Sequence, residues 1–262
     1  MLDTIISSTP LWLLYILTAG FVLLGFQLGW LLGCRTRDTQ GEKDAPIGAI
    51  VAATFALLAF MLGFTFNMAA GRFEVRKQYV LQEANAIYTA YLRADFLAEP
   101  QGSSIQSTLK EYARLRTQGV TALRTPAVMA QTAALQQRIW ADTLAATKDG
   151  AKGASPVLDG LLVQAVNQLI DTDAARVQAG RNQVPDSIWF VLYLVTFMAM
   201  ATSGYYFGLS GRRRWAAVAL LVLTFSVVIV LIADLDAPQG GFLQVSQQPI
   251  LDVIDKMNAP VP

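Results

Sequence analysis

IGAIVAATFALLAFMLGFTFNMAAG, residues 47–71, continues without a proline into RFEVRKQYVLQEANAIYTAYLR, residues 72–93. The first half is apolar and long enough to cross a bilayer, which takes roughly 20 residues. The second half is charged and polar, and no helix breaker separates the two. The pattern predicts one long helix, ending near Leu97, that leaves the membrane and becomes soluble. Such an element can couple a pore or sensor in the lipid to a domain outside it.

Outward from this junction, residues 11–33, 188–209 and 215–233 are also apolar and long enough to span, making four spans with 47–71. The first is expected to be retained: it lacks a basic leading region, and Cys34-Arg35 follows it in place of a small-residue cleavage site. Asp186-Ser187 after Pro185 reads as the N-cap of the third span, and Trp189, Tyr205, Tyr206 and Trp215 fall near span ends, where interfacial aromatics collect. Apolar residues make up 54% of the chain and charged residues 15%, more apolar surface than a soluble fold of this size needs to bury.

The composition also excludes function classes. Lys and Arg number 20 against 19 Asp and Glu, so no global basic field exists to hold nucleic acid. The absence of histidine removes the commonest general base, the Ser-His triads and most transition-metal sites. Cys34 stands alone, so no intrachain disulfide or thiolate cluster can form, and it reads as a small hydrophobe at a helix end. No nucleophile–base pair or metal cluster is visible; neither an enzyme nor a cofactor is expected.

The spans carry small-residue stripes, which let helix backbones approach closely in lipid. Gly25, Gly29 and Gly33 recur every fourth residue on the first span, where packing within one subunit is the simpler use. Ala49, Ala52, Ala56, Ala59 and Gly63 form a second stripe on residues 47–71. No span contains a charged residue, which disfavours a proton relay or a pump built on buried carboxylates.

Between the second and third spans, residues 72–186 read as almost wholly helical. Breaks at Glu99-Pro100, Thr125-Pro126 and the Gly-rich residues 149–156 cut the region into four helices. Leu109, Tyr112 and Leu115, and Leu158, Leu161, Leu162, Val166 and Leu169, follow helical spacing. Residues 150–153 lack the Gly-Lys-Ser/Thr ending of a phosphate loop. The expected fold is an all-α membrane protein: a transmembrane pair in 1–71, a helical bundle in 72–186 inserted between the second and third spans, and a second pair with a C-terminal tail in 187–262.

The junction carries a resemblance. Leu62-Gly63-Phe64, Asn67 and Arg72-Phe73-Glu74-Val75-Arg76-Lys77 resemble the bestrophin pattern of an LGF-type element followed by a basic-aromatic run. Asp234-Leu235-Asp236-Ala237-Pro238-Gln239-Gly240 and Pro249-Ile250-Leu251-Asp252-Val253-Ile254 are similar to elements after the last bestrophin span. Glu83-Ala84-Asn85-Ala86-Ile87 and Val245-Ser246-Gln247-Gln248-Pro249 look characteristic of the bacterial bestrophin-like family of four-span proteins, which has no firmly assigned activity. The resemblance covers nearly the whole chain and places it in a bacterial inner membrane.

Bestrophins are pentameric ion channels, anion-selective in animals, with some bacterial members passing cations. The resemblance implies an apolar neck at Ala56, Phe60 and Phe64, positions that share one helical face. Such a ring gates by dewetting. By spacing alone, the default use of the same residues is contact with lipid or a neighbouring helix. Two departures stand out: Ala56 is smaller than the usual residue of that ring, and Phe73-Glu74 replaces a common aromatic pair. Arg72, Arg76 and Lys77, with Asn67 before them, read either as a pore mouth or as headgroup contacts. Glu83 and Asn85 are candidates for bonds between helices, or are solvated. Asp234, Asp236 and Asp252 occupy the region of the bestrophin calcium clasp, but too few hard ligands surround them, and caps or hydrogen-bond acceptors are expected instead of a metal site.

Two functions fit. The first is a homo-oligomeric ion channel lined by the second span, with the bilayer and inorganic ions as partners. The alternative is a non-conducting sensor or assembly protein that signals through its helical domain. Orientation is contested: Arg35, Arg37 and Lys43, and Arg212, Arg213 and Arg214, place both short loops in the cytoplasm and the helical domain outside, opposite to bestrophins.

Overall fold

The computed structural model describes residues 9–36, 45–118, 125–148, 156–211, 215–238 and 241–259. The described residues are helical, without strands, and comprise α1 (Leu11–Thr36), α2 (Ala45–Ala94), α3 (Gln101–Arg116), α4 (Pro126–Lys148), α5 (Pro156–Arg181), α6 (Asp186–Ser210), α7 (Trp215–Asp236) and α8 (Gln248–Asn258). Four of the helices are long and apolar enough to cross a membrane. The 149–155 loop and the basic residues Arg37, Lys43 and Arg212 to Arg214 lie outside the described residues. Helix α2 runs unbroken for 50 residues, as the proline-free sequence from Ile47 predicts.

Contacts divide the chain into two compact units, residues 1–73 with 183–244, and residues 74–182 with 245–262. The first unit holds α1, the apolar half of α2, α6 and α7. Its helices are hydrophobic on all sides, so packing is set by size and by hydrogen bonds instead of an apolar stripe. A Cβ added at Gly29 would lie 1.9 Å from the Ala201 carbonyl oxygen, and one at Gly33 would lie 2.3 Å from that of Tyr205. Gly204 and Gly208 answer from α6: their added Cβ atoms would meet the carbonyls of Phe26 at 2.0 Å and Trp30 at 2.5 Å. The glycine stripe therefore packs α1 against α6 within one chain, backbone on backbone.

Hydroxyl pairs support this packing, each satisfying a group that lipid cannot. Thr18 pairs with the Tyr193 hydroxyl at 3.1 Å, Thr36 donates to the Tyr205 hydroxyl at 3.2 Å, and Thr54 pairs with Thr202 at 3.2 Å. Phe55 of α2 stacks on Phe225 of α7 with ring centroids 5.6 Å apart. Helix α6 begins at Asp186, so Pro185 takes the cap position and makes no side-chain cap bond. Asp186 thus sits inside the first turn, where an acid favours the positive end of the helix, and is not the N-cap that the sequence suggests.

The second unit holds the polar half of α2 with α3, α4, α5 and α8. Its core is Val80, Ala84, Ile87 and Ala90 of α2, Ile105, Leu109 and Tyr112 of α3, Ile139 of α4, Leu162, Val166 and Leu169 of α5, and Ile250 and Val253 of α8. Each buried aliphatic side chain contributes about 1.5–3 kcal/mol relative to exposure. Leu158 and Leu161, although in helical spacing with Leu162, are exposed, so the α5 core face begins one turn later. The amphipathic α8 seats Ile250, Val253 and Met257 inward, and the Tyr91 hydroxyl donates to the Met257 carbonyl at 3.3 Å.

Candidate functional site

The apolar half of α2 is the least covered of the spans. In its most apolar window 11% of residues are buried, against 28% for the first candidate span and 33% for the third and fourth. The exposed side has a definite register. At about 100° per residue, Ala49, Ala53, Ala56, Phe60, Phe64 and Asn67 lie within roughly 40° of one line, and all six are exposed. Phe60 is 68% exposed and Phe64 51%, whereas Leu58 and Leu62 on the opposite side are 0% and 6% exposed. On a shoulder of the same face, Ala52, Ala59 and Gly63 are exposed, and an added Cβ at Gly63 meets nothing within 4 Å. Among the described residues the second small-residue stripe thus meets no partner helix at Gly63, in contrast to Gly29 and Gly33.

The basic run separates by helix phase. Arg72 is half-buried, Arg76 is buried at 6% exposure, and Lys77 is exposed with its Nζ 3.7 Å from Glu74 Oε2. Successive rotations of about 100° put these three bases on sides of α2 other than that of Phe60.

Less than two turns beyond Lys77, at Glu83, the second unit buries a cluster of ions. Glu83 is fully buried and accepts from Arg116 Nε at 2.6 Å, from the Tyr112 hydroxyl at 3.1 Å and from Arg176 on its other oxygen. Arg116 also pairs with Asp173 at 2.7 Å, and Gln136 donates to Asp173 at 2.9 Å. Arg176 completes its fork on the Gln247 side-chain oxygen at 2.6 Å. One carboxylate on α2 therefore gathers cations from α3 and α5, and through Arg176 reaches the segment after α7. The sequence elements around Glu83 and Gln247 meet at a single guanidinium.

Burial and the negative Glu83 beside it push the Tyr112 hydroxyl well above its ordinary value, so it keeps its proton and donates. Burial alone would lower Arg116, but Glu83, Tyr112 and Asp173 more than offset it and hold the guanidinium charged. Burial raises Asp173 despite Arg116 and Gln136 at its side. Two arginines against two acids leave the cluster neutral, which is what a buried charge network requires.

The sequence motifs hold Glu83 and Gln247, but they do not point to Tyr112 as a donor, to Arg116 or Asp173, or to Arg176 as more than a charge flanking the helical region. A signal was present: Arg116 follows Leu109 and Tyr112 in helical phase, and Arg176 follows Leu169, so each base stands on an apolar face. Asn85, two residues from Glu83, is exposed. With Gln82, Thr89, Arg93 and Gln168 it lines an open groove of about 330 Å³ between α2 and α5.

The tail acids have separate tasks. Asp236 is buried, and its two oxygens accept the Val184 backbone N–H at 2.9 and 3.0 Å, joining the end of α7 to the start of α6. Asp234 is buried and accepts the Leu243 N–H at 3.2 Å, with Gly241 so close that a Cβ there would overlap its carboxylate. Asp252 lies exposed on α8 and accepts from Gln248 at 2.7 Å. Among the described residues no three of His, Cys, Asp or Glu converge as a metal would need.

Comparison with known proteins agrees with this architecture. A crystal structure of a bacterial bestrophin homologue from Klebsiella pneumoniae, carrying a point mutation, superposes with a TM-score of 0.66 at 13% identity, covering 96% of this chain and 100% of that one. A second mutant of the homologue gives 0.62 at 14% identity over 89% of this chain and 99% of that one. A crystal structure described as a membrane protein gives 0.61 at 16% identity over 95% and 98%. No curated protein sequence matches. At these identities the structures establish the fold alone, and the bestrophin fold accounts for the four apolar helices. Residues 19–250 match the Bestrophin-like domain, and the chain belongs to the bestrophin-like family of membrane proteins.

Proposed function

We propose that copies of this chain assemble in the membrane around the uncovered face of α2 and pass inorganic ions along it. The observation that carries this reading is the exposure of Phe60 and Phe64 in one register with Ala56 and Asn67, on the least buried span of the chain. Two bulky aromatics one turn apart, repeated around an axis, make a hydrophobic neck that excludes water until the rings turn aside. The exposed shoulder of Ala52, Ala59 and Gly63 suits close helix contact between copies, since small residues are the usual means of association in lipid. Five copies would agree with the bestrophin resemblance. In this reading residues 72–186 form the extramembrane helical domain between the two transmembrane pairs.

The buried Glu83 cluster supports a second reading. A network that fixes α3, α5 and Gln247 to one long helix makes that helix a stiff lever, which a non-conducting sensor would use. The mass of the purified complex separates the two. A closed ring of several copies supports the channel, whereas a monomer or dimer in detergent, silent in flux assays, supports the lever. A C-terminal compartment reporter assigns the side of the domain; activity of a cytoplasm-only reporter would overturn the external placement suggested by the short-loop charges.

A further inference from the structure

The uncovered face of α2 continues past the neck. In the same register, Glu74, Gln78, Gln82, Asn85 and Thr89 follow Asn67, and all are exposed. Their polarity suits a wall in contact with water and is unlike a packed apolar seam between helices. One charged side chain stands on this face from Ala49 to Leu92, and it is the carboxylate of Glu74. Arg76 is buried on the far side of the helix and Arg72 is half-buried away from the face. Lys77 stands at the edge of the face, 3.7 Å from Glu74, with both side chains more than half exposed, and Arg93, just past Leu92, donates to the Leu161 carbonyl. An exposed pair of this kind is weak.

We propose that Glu74 sets the charge preference of the pathway: repeated in each copy, it forms a carboxylate ring beyond the neck that favours cations over anions, with Lys77 opposing it from the edge. A ring of fixed charge acts on passing ions through water at short range, the usual basis of charge selection in a wide pore. This assignment rests on the permeation reading and adds the sign of the ion to it.

The test is the reversal potential of the full-length protein in planar bilayers under a KCl gradient. Wild type is expected to prefer cations. Glu74→Gln is expected to lower the cation-to-anion permeability ratio by roughly threefold or more, Glu74→Asp to keep it, and Lys77→Gln to raise it. Because Glu74 is exposed, Glu74→Gln is expected to match wild type in expression and size-exclusion profile. Conduction with a reversal potential unmoved by Glu74→Gln, or moved equally by Glu74→Gln and Gln78→Ala, overturns the assignment while leaving the permeation reading intact. Wild type that carries no current overturns both.

Discussion

Glu83→Gln removes one charge and almost no volume from the buried cluster. In the native protein Glu83 and Asp173 balance Arg116 and Arg176; after the change the cluster carries a net positive charge on two guanidiniums that are only 1% and 3% exposed. Breaking a buried pair from one side costs about 3–5 kcal/mol, because the remaining ions stay desolvated and uncompensated. For a chain of this size each kcal/mol shifts the midpoint by roughly 2–4 °C, so the apparent Tm in detergent should fall by about 10 °C at a fixed scan rate. Adding Arg176→Gln restores neutrality. The double variant is therefore expected to recover part of the loss, with a coupling of roughly 1–3 kcal/mol. A loss below about 1 kcal/mol for Glu83→Gln, the value of a solvated surface pair, would refute the claim that this cluster is a sealed ion network.

Gly29→Ala places a methyl 1.9 Å from the Ala201 carbonyl and should sharply reduce the yield of monodisperse protein, while Gly20→Ala, with nothing within 4 Å, should leave size-exclusion profiles unchanged. Tyr112→Phe removes a hydrogen bond to a charged acceptor and should cost about 1.5–3 kcal/mol at neutral pH. Because the folded hydroxyl is raised, the unfolded chain binds fewer protons above a pH of about 10, and wild type should lose stability there. The gap between wild type and Tyr112→Phe should accordingly narrow as pH climbs through that range in thermal melts. Asp236→Ala leaves the buried Val184 N–H without its carboxylate and should cost about 1–3 kcal/mol by the same assay, with Asp236→Asn, which keeps one acceptor, less damaging.

The elements of the fold could be read from the sequence because lipid imposes long apolar runs and prolines mark the ends of helices. The unbroken α2 and the inward stripe of Gly25, Gly29 and Gly33 follow from such local rules. Their partners do not. Gly204 and Gly208 lie among other small residues of α6, and what distinguishes them is the backbone of α1 pressed against them. Asp186 has the chemistry of a cap, but the preceding Pro185 already has the conformation that starts the helix. At Glu83, one chain element shows an acid in an apolar phase; the two arginines that hold it come from helices 33 and 93 residues away. The run Arg72-Phe73-Glu74-Val75-Arg76-Lys77 reads as one basic cluster along the chain, yet rotation about α2 sends its bases to different sides and leaves Glu74 in register with Phe60.

Ion flux through purified protein in liposomes, compared with that of Phe60→Ala, Phe64→Ala and Phe190→Ala, tests the permeation face most directly. Phe190 is 60% exposed on α6, as accessible as the two neck residues but on another span. The expected result is measurable flux in wild type, altered by Phe60→Ala and Phe64→Ala and unchanged by Phe190→Ala. No flux in any of several salts, or an equal effect from all three changes, would contradict the assignment of α2 as the wall of a pore.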